Sequence, residues 1–435
     1  SDWKTAGRPH PGSTAHSIKK KAKTDLRRAL RQHSAQGRDS YYQSLMENVN
    51  NRNFHRLVNL QQNNCISSSG LYPILADGKL LYDLDDQLDA LTWHYSNLAT
   101  PAGADITPYQ RQISTDLQSI RDVCSQAEDT NPFTLEEVRT AISKLNSGKA
   151  ADELGIKAEV LKNAPDAYSQ ILHHLFNESL KQNTVPAHFK SRILTSIPKK
   201  GKDPQIADNH RGLTVTLTPG KVLEHILKSR YDEALLEKQS TLQFGFTSGV
   251  TPGIASLLIT EAMVEAQETR EPLFICILEA RKAFDTVAHN SLIRKVYLTG
   301  IDPNIVAMID LLYQDMTTKV KWRGKLGAEF ENLQGTRQGG VVSPDLYKVF
   351  LNDLLLHFET DRLGMSIGDT YIGIPTVADD VALLTLSSHE MQVMIDTASY
   401  FADEEKYSLN PTKTDIANLT NIKCEEMRPL MADEW

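Results

Sequence analysis

Cysteine is scarce in this chain. Cys65, Cys124, Cys276 and Cys424 are scattered over 435 residues. Such spacing makes neither a disulfide framework nor a zinc-ligand cluster, and it suits a reducing compartment. No apolar run approaches the 18 residues of a membrane-spanning helix, so none is expected. The first residues are polar and basic, so no signal peptide is expected either. Internal repeats and low-complexity tracts are also missing, which sets aside solenoid and fibrous architectures. An excess of positive charge is lacking, since the formal net charge is −8. That balance argues mildly against a nucleic-acid binder, but it is uneven. Residues 1–60 carry 12 Lys/Arg against 4 Asp/Glu, leaving the remainder at −16. The cluster Lys19, Lys20, Lys21, Lys23, Arg27 and Arg28 reads either as a solvated helix face or as a phosphate-touching or import segment.

The length predicts two or three domains of ordinary soluble composition. Residues 1–129 are expected to be mostly helical. A new unit begins near Pro132, where Thr134 and Glu137 form a capping box and Phe133 is placed for a hydrophobic staple. That helix is expected to reach Asn146. Apolar stripes predict further helices through Ile171–Phe176, Val222–Tyr231 and Ile254–Met263. From Pro272 the pattern changes. Leu273–Leu278 reads as a buried strand, helices follow from Ser291 and across Ile305–Tyr313, and a hairpin turns at Gly324–Gly327. Another helix opens at Pro344 with Ser343 as its N-cap, and one more begins at Ser388. This order is that of an α+β fold with a split βαβ sheet and helices on one face.

The chemistry concentrates in Tyr371-Ile-Gly-Ile-Pro-Thr-Val-Ala-Asp-Asp-Val-Ala-Leu-Leu-Thr-Leu386, where Asp379 and Asp380 interrupt an apolar, β-prone run. Ile374–Val377 leads into a tight turn and Val381–Leu386 leads out. Adjacent like charges beside buried strands are costly unless a cation neutralises them. Two divalent metals about 3.5–4 Å apart would do so, and they serve in-line phosphoryl displacement. From the dipeptide alone, a solvated turn in an ordinary hairpin explains it equally well.

Three more segments stand in order with it: Phe274-Ile-Cys-Ile-Leu-Glu-Ala-Arg-Lys-Ala-Phe-Asp-Thr-Val287, Gly335-Thr-Arg-Gln-Gly-Gly-Val-Val-Ser-Pro344, and Leu409-Asn-Pro-Thr-Lys-Thr414. With Val377-Ala-Asp-Asp380 they resemble motifs A to D of reverse transcriptases of LINE-type (non-LTR) retrotransposons. Upstream, Gly148-Lys149 through Gly155-Ile156, Ile197-Pro-Lys-Lys-Gly-Lys202, His210-Arg211 and Gln243-Phe-Gly-Phe246 agree. The likeness covers roughly residues 130–416.

The resemblance implies the fingers and palm of a right-hand polymerase. Residues 1–129 would be a connector, 130–255 the fingers with early palm elements, and 256–435 the palm, without the endonuclease and most of the thumb. It implies RNA-directed DNA synthesis on an RNA template and DNA primer with dNTPs, no membrane, and nuclear residence, with the cytoplasm as the other compartment. Asp379 and Asp380 would bind Mg²⁺ together with the acid at position 279, where the family has Asp and this chain has Glu279. The register is fixed by Lys282-Ala-Phe-Asp285, and Asp285 is not the metal acid. Phe284 would lie under the incoming sugar and exclude a 2′-OH. Arg211 and Lys199 would hold the triphosphate, Gln338 and Gly339 would line the nucleotide and template side, and Lys413 would act on pyrophosphate.

Glu279 has a physical consequence. Mg²⁺ demands near-ideal octahedral geometry at ~2.0–2.1 Å, and misplacing a group by ~1 Å costs on the order of 10²-fold in rate. The expectation is therefore a polymerase of impaired activity, with Mn²⁺ as a more tolerant metal. The alternative is an inactive relic that keeps the fold and binds RNA or an RNA–DNA hybrid. An RNA-dependent RNA polymerase shares the palm but is disfavoured by Phe284. Further departures from the family pattern are Asp152-Glu-Leu-Gly155, Gly212 after Arg211, and Val377 before the acids.

Overall fold

The computed structural model describes residues 20–21, 24–25, 72–101, 107–127, 131–337, 339–411 and 414–418. Most of the basic N-terminal cluster lies outside these residues. The chain divides into units 1–72 and 73–435, and everything below belongs to the second.

It opens with a hairpin, β1 (Ile74–Ala76) and β2 (Lys79–Leu81). Asp77 and Gly78 turn it with positive φ at both positions, the geometry that matches strand twist. The sequence reading did not name this hairpin, though the Asp-Gly pair was its signal. Two helices follow. The first, α1 (Leu84–Leu98), is capped by Asp83. The second, α2 (Pro108–Ser125), is capped by Thr107 with proline in its first turn.

The expected capping box is present. Thr134 and Glu137 exchange both hydrogen bonds at the start of α3 (Leu135–Lys144), beside the buried Phe133. The helix ends short of Asn146 because Leu145 turns extended and buries its side chain. Three more helices lead to the first large sheet: α4 (Ala158–Lys162), α5 (Asp166–Lys181) and α6 (Ala187–Lys190). Strands β3 (Ser191–Pro198) and β4 (His210–Thr216) form its hairpin. The long helix α7 (Thr218–Lys238) buries Val222, Leu223, Ile226, Leu227 and Tyr231, the expected stripe. The next, α8 (Gly253–Thr269), runs past Met263 to an αL cap at Arg270.

Strand β5 (Phe274–Glu279) begins the second large sheet. Helices α9 (His289–Leu298) and α10 (Pro303–Tyr313) follow. Strands β6 (Thr317–Trp322) and β7 (Lys325–Glu331) then return to the first sheet, whose order is β4-β3-β6-β7 with β3 and β6 parallel. Their turn is Arg323-Gly324, both at positive φ, rather than 324–327. Lys325–Gly327 continues as strand, and a Cβ at Gly327 would strike Thr92 of α1.

Helix α11 (Ser343–Asp361) has Val342, not Ser343, at its N-cap. The Ser343 hydroxyl instead donates to Arg337 O at 2.6 Å and closes the preceding loop. The small hairpin β8 (Ser366–Ile367) and β9 (Thr370–Tyr371) leads to β10 (Thr376–Val377) and β11 (Asp380–Thr385). Helix α12 (Ser388–Glu405) starts at its Ser387 cap. Last comes β12 (Asp415–Asn418), a strand the sequence did not announce.

The second sheet has the order β10-β11-β5-β12, antiparallel throughout. Its strands alternate as the pleat requires. Phe274, Cys276, Leu278, Val381 and Leu383 face the main core, shared with α9, α11 and α12. On the other face, α8 covers the far end through Ala262 and Ala266 against Leu384 and Ile275. Near the acids that face is open among the described residues, and Ile277 is exposed. This α+β architecture is the expected one, with α8 an addition on the second face. Among the described residues no helix is long and apolar enough to cross a membrane.

Candidate active site

The β10–β11 hairpin pairs Val377 with Asp380, leaving Ala378 and Asp379 as a two-residue turn. Ala378 sits at φ 59°, a left-handed conformation that alanine adopts at a cost. The Gln243 side chain grips this turn. Its Nε2 donates to Ala378 O at 3.1 Å, and its Oε1 accepts from Ala378 N at 2.9 Å and from Gly245 N at 2.8 Å. The backbone of 242–244 runs alongside β10, with Phe244 N donating to Thr376 O and Thr376 N to Leu242 O, both at 2.8 Å.

The register between β11 and β5 places Asp380 directly opposite Glu279. Residues so paired have Cβ atoms about 4.5–5.5 Å apart and share a face, so two like charges meet here at an unfavourable spacing. That face is the open one. Beyond Glu279 the chain pairs with 408–410. Arg281 N donates to Ser408 O and Asn410 N to Glu279 O, each at 2.8 Å. The third carboxylate, Asp379, stands in the adjoining turn. Asp285 lies in a 3₁₀ turn past the strand end, where burial raises its carboxyl pKa against the charges of Lys282, Arg192 and Lys199.

An aromatic cluster neighbours the two aspartates. Phe284 stacks on Tyr347 at 4.4 Å and 24°, and meets Phe246 edge-on at 6.3 Å. Burial raises the Tyr347 hydroxyl well above its ordinary value, and the nearby Tyr407, Asp379 and Asp380 add to the shift. Its ring therefore lies within electrostatic reach of both aspartates.

The loop before α11 is fastened at both ends. Gly335 N donates to Val287 O and Thr336 N to Phe284 O. Gly339, at φ 86°, passes so close to Thr214 O that a side chain would not fit. Behind the loop, Arg337 and Glu224 form a buried ion pair at 3.4 Å. Glu224 also accepts from Val341 N. Gln338 lies outside the described residues, as does Lys413.

Lys199 and Arg211 are exposed on the β3–β4 hairpin. Arg211 pairs with Ile197, and Lys199 N donates to Asn209 O nearer the tip. At that tip Asp208 bonds Lys282 at 3.2 Å, tying the hairpin to the segment after Glu279. Two departures from the family pattern have local reasons. Asp152 accepts from Leu154 N, Ile156 N and Thr218 N, joining its turn to the start of α7. Gly212 lies under Leu194 and Tyr95, where a Cβ would come within 2.9 and 3.2 Å. Tyr95 is held there by Ser196, whose hydroxyl also bonds His210 Nδ1 at 2.8 Å.

Sequence reasoning missed the grip of Gln243 and the Glu224–Arg337 pair. Glu224 carried a signal, since it interrupts the buried stripe of α7 between Leu223 and Leu227.

Among the described residues, no group of three or more His, Cys, Asp or Glu is gathered to hold a metal ion. The donor chemistry nevertheless suits a hard divalent cation. Mg²⁺ sites are commonly built from one or two carboxylates completed by water and substrate phosphates, not from all-protein cages. Glu279 and Asp380 on adjacent strands, with Asp379 beside them, fit that description.

Comparison with known proteins agrees with this geometry. Residues 197–429 match the family model for reverse transcriptase (RNA-dependent DNA polymerase). The chain is 28% identical over 318 residues to the RNA-directed DNA polymerase from mobile element jockey of Drosophila melanogaster, covering 68% of this chain and 34% of that protein. It is 28% identical over 288 residues to the Pol polyprotein from the type-1 retrotransposable element R2 of Popillia japonica, covering 65% and 39%. To the transposon TX1 149 kDa protein of Xenopus laevis it is 23% identical over 362 residues, covering 82% and 27%. The chain thus spans about a third of the length of the curated relatives it matches. It belongs to the reverse transcriptase (RNA-dependent DNA polymerase) family, whose members use divalent metal ions, and its jockey and R2 relatives are non-LTR retrotransposon polymerases.

Proposed function

We propose that this chain carries the nucleotidyl-transfer site of an RNA-directed DNA polymerase, working on an RNA template and DNA primer in the nucleus. The observation that supports this reading most is the register that sets Asp380 against Glu279 on the open face, with Asp379 in the adjoining turn. A primer 3′-hydroxyl attacks the α-phosphate of a dNTP, forming the new P–O bond as pyrophosphate leaves. Glu279, Asp379 and Asp380 would hold Mg²⁺ or Mn²⁺, which would supply charge stabilisation to the attacking and leaving oxygens. Phe284, stiffened by its stack on Tyr347, closes the space a 2′-hydroxyl would need. Lys199 and Arg211 hold the triphosphate and Lys413 acts on the leaving pyrophosphate, while Gln338 and Gly339 line the template side.

Glu279 sets the level of activity. Its extra methylene carries the carboxylate past the position an aspartate would give, and a ~1 Å error costs on the order of 10²-fold. The same residue favours a second reading, a relic that retains the fold and binds RNA or a hybrid without chemistry. Primer extension on an RNA template separates them, run with Mg²⁺ or Mn²⁺ beside Glu279→Asp and Asp379→Asn. A longer form extending past residue 435 is assayed alongside. Extension lost in Asp379→Asn and raised by Glu279→Asp supports the polymerase. Silence of every variant in the longer form supports the relic.

A further inference from the structure

We propose that Gln243 is a positioning residue for the Asp379–Asp380 turn. The inference rests on the reading of that turn as the nucleotidyl-transfer site. Ala378 lies at φ 59°, where a Cβ is disfavoured and only the surroundings can hold it. The strand pairing of β10 and β11 stops at Val377 and Asp380 and leaves the tip itself without a ladder bond. Gln243, 2% exposed, bonds both the amide and the carbonyl of Ala378 through one planar amide group.

The Gln243 amide is in turn oriented. Gly245 N donates to the same Oε1, and the 242–244 backbone is fixed to Thr376 by two hydrogen bonds. Gly245 completes the seat. A Cβ there would come within 2.7 Å of Ala378 Cα and closer still to its nitrogen. Gln243 therefore dictates the conformation of the residue immediately before the two acids, and with it the direction in which Asp379 and Asp380 leave the backbone. A glutamine that merely satisfied its own buried amide would place no condition on the residue at 378. A clamp does, because it holds a conformation that glycine would adopt unaided.

The test uses Gln243→Leu, the milder Gln243→Glu, Ala378→Gly, and the double variant Gln243→Leu/Ala378→Gly. Amide hydrogen exchange is followed through 374–386 with the α7 amides as internal reference. Steady-state primer extension on an RNA template is measured in parallel. The expected result for Gln243→Leu is exchange of the Ala378 amide faster by about tenfold, with α7 unchanged. Its kcat should fall by roughly 10- to 100-fold with KM for dNTP within about twofold. Gln243→Glu, which keeps the acceptor, should retain the Ala378 protection and lose less activity. The added Ala378→Gly should recover most of the loss, which no general packing defect would allow. Unchanged exchange at Ala378 overturns the proposal, as does a loss in Gln243→Leu that Ala378→Gly leaves untouched. If no variant extends a primer with either metal, Glu279→Asp in the longer form included, the functional reading is what fails, and the exchange data still decide the clamp.

Discussion

Replacing Arg337 by methionine gives the sharpest stability prediction this fold allows. Glu224 is fully buried and Arg337 is 1% exposed, with 3.4 Å between their charged atoms. Methionine fills much of the same volume but abandons the Glu224 carboxylate in a dry interior. Breaking a buried pair in this way costs about 3–5 kcal/mol. Two local features place the value toward the lower end. Glu224 keeps its bond from Val341 N. Arg192, whose pKa burial and the neighbouring Arg337 hold down to about 10, is relieved of a like charge. Against that, the bond from Arg337 to Phe189 O at 2.7 Å is lost.

At about 3 kcal/mol, and with an unfolding entropy of about 2.1 cal/mol/K per residue over a chain of 435 residues, Tm should fall by about 3 °C. The double variant Glu224→Leu/Arg337→Met removes both charges and should recover most of that loss, because a buried pair is worth little against apolar residues of similar volume. Differential scanning calorimetry of the four proteins closes the cycle. A shift below about 1 °C in Arg337→Met, or a double variant as unstable as the sum of the singles, would refute the reasoning.

Three further outcomes are expected. Gly245→Ala forces the Gln243 segment away from Ala378 and should cost about 1–3 kcal/mol, read as a lowered Tm. Phe284→Val removes the ring stacked on Tyr347, and NTP incorporation relative to dNTP should rise by about tenfold or more in competition assays, with about 0.5–1.5 kcal/mol of stability lost with the stack. Burial lowers the His289 pKa to about 4, while its Nε2–H donates to Gly335 O. The unfolded chain therefore binds more protons than the folded one between about pH 6.5 and 4. Stability from this residue is complete above the unfolded value and is lost as pH falls, by on the order of 3 kcal/mol. His94, His210 and His225 are lowered by burial and act with the same sign. Denaturant titrations at pH 7 and 5 should show a pH-dependent loss that shrinks in His289→Gln, and an identical loss in both proteins would exclude the assignment.

What was legible in the sequence is what a few consecutive residues decide. Thr134 and Glu137 cap a helix because the bonds close within one turn, and Leu273–Leu278 reads as a buried strand because it is a short, continuous apolar run. The errors lie where a distant group decides. Ser343 is an ideal cap by type, yet its hydroxyl is taken by Arg337 O. Strand β12 exists because β5 has a free edge, which nothing in Asp415–Asn418 declares. The same distinction divides the site. The two aspartates were visible as a charged break in an apolar run, but the turn that presents them has alanine where a positive φ would ordinarily call for glycine or asparagine. Local rules fail at that residue, and such failures are expected where structure is held for function. The reason stands 135 residues upstream, in a glutamine side chain that no local pattern could connect to it. An ordinary hairpin would have spent a glycine there. This one keeps alanine and depends on Gln243, which makes the aim of the carboxylates a property of two separated segments at once.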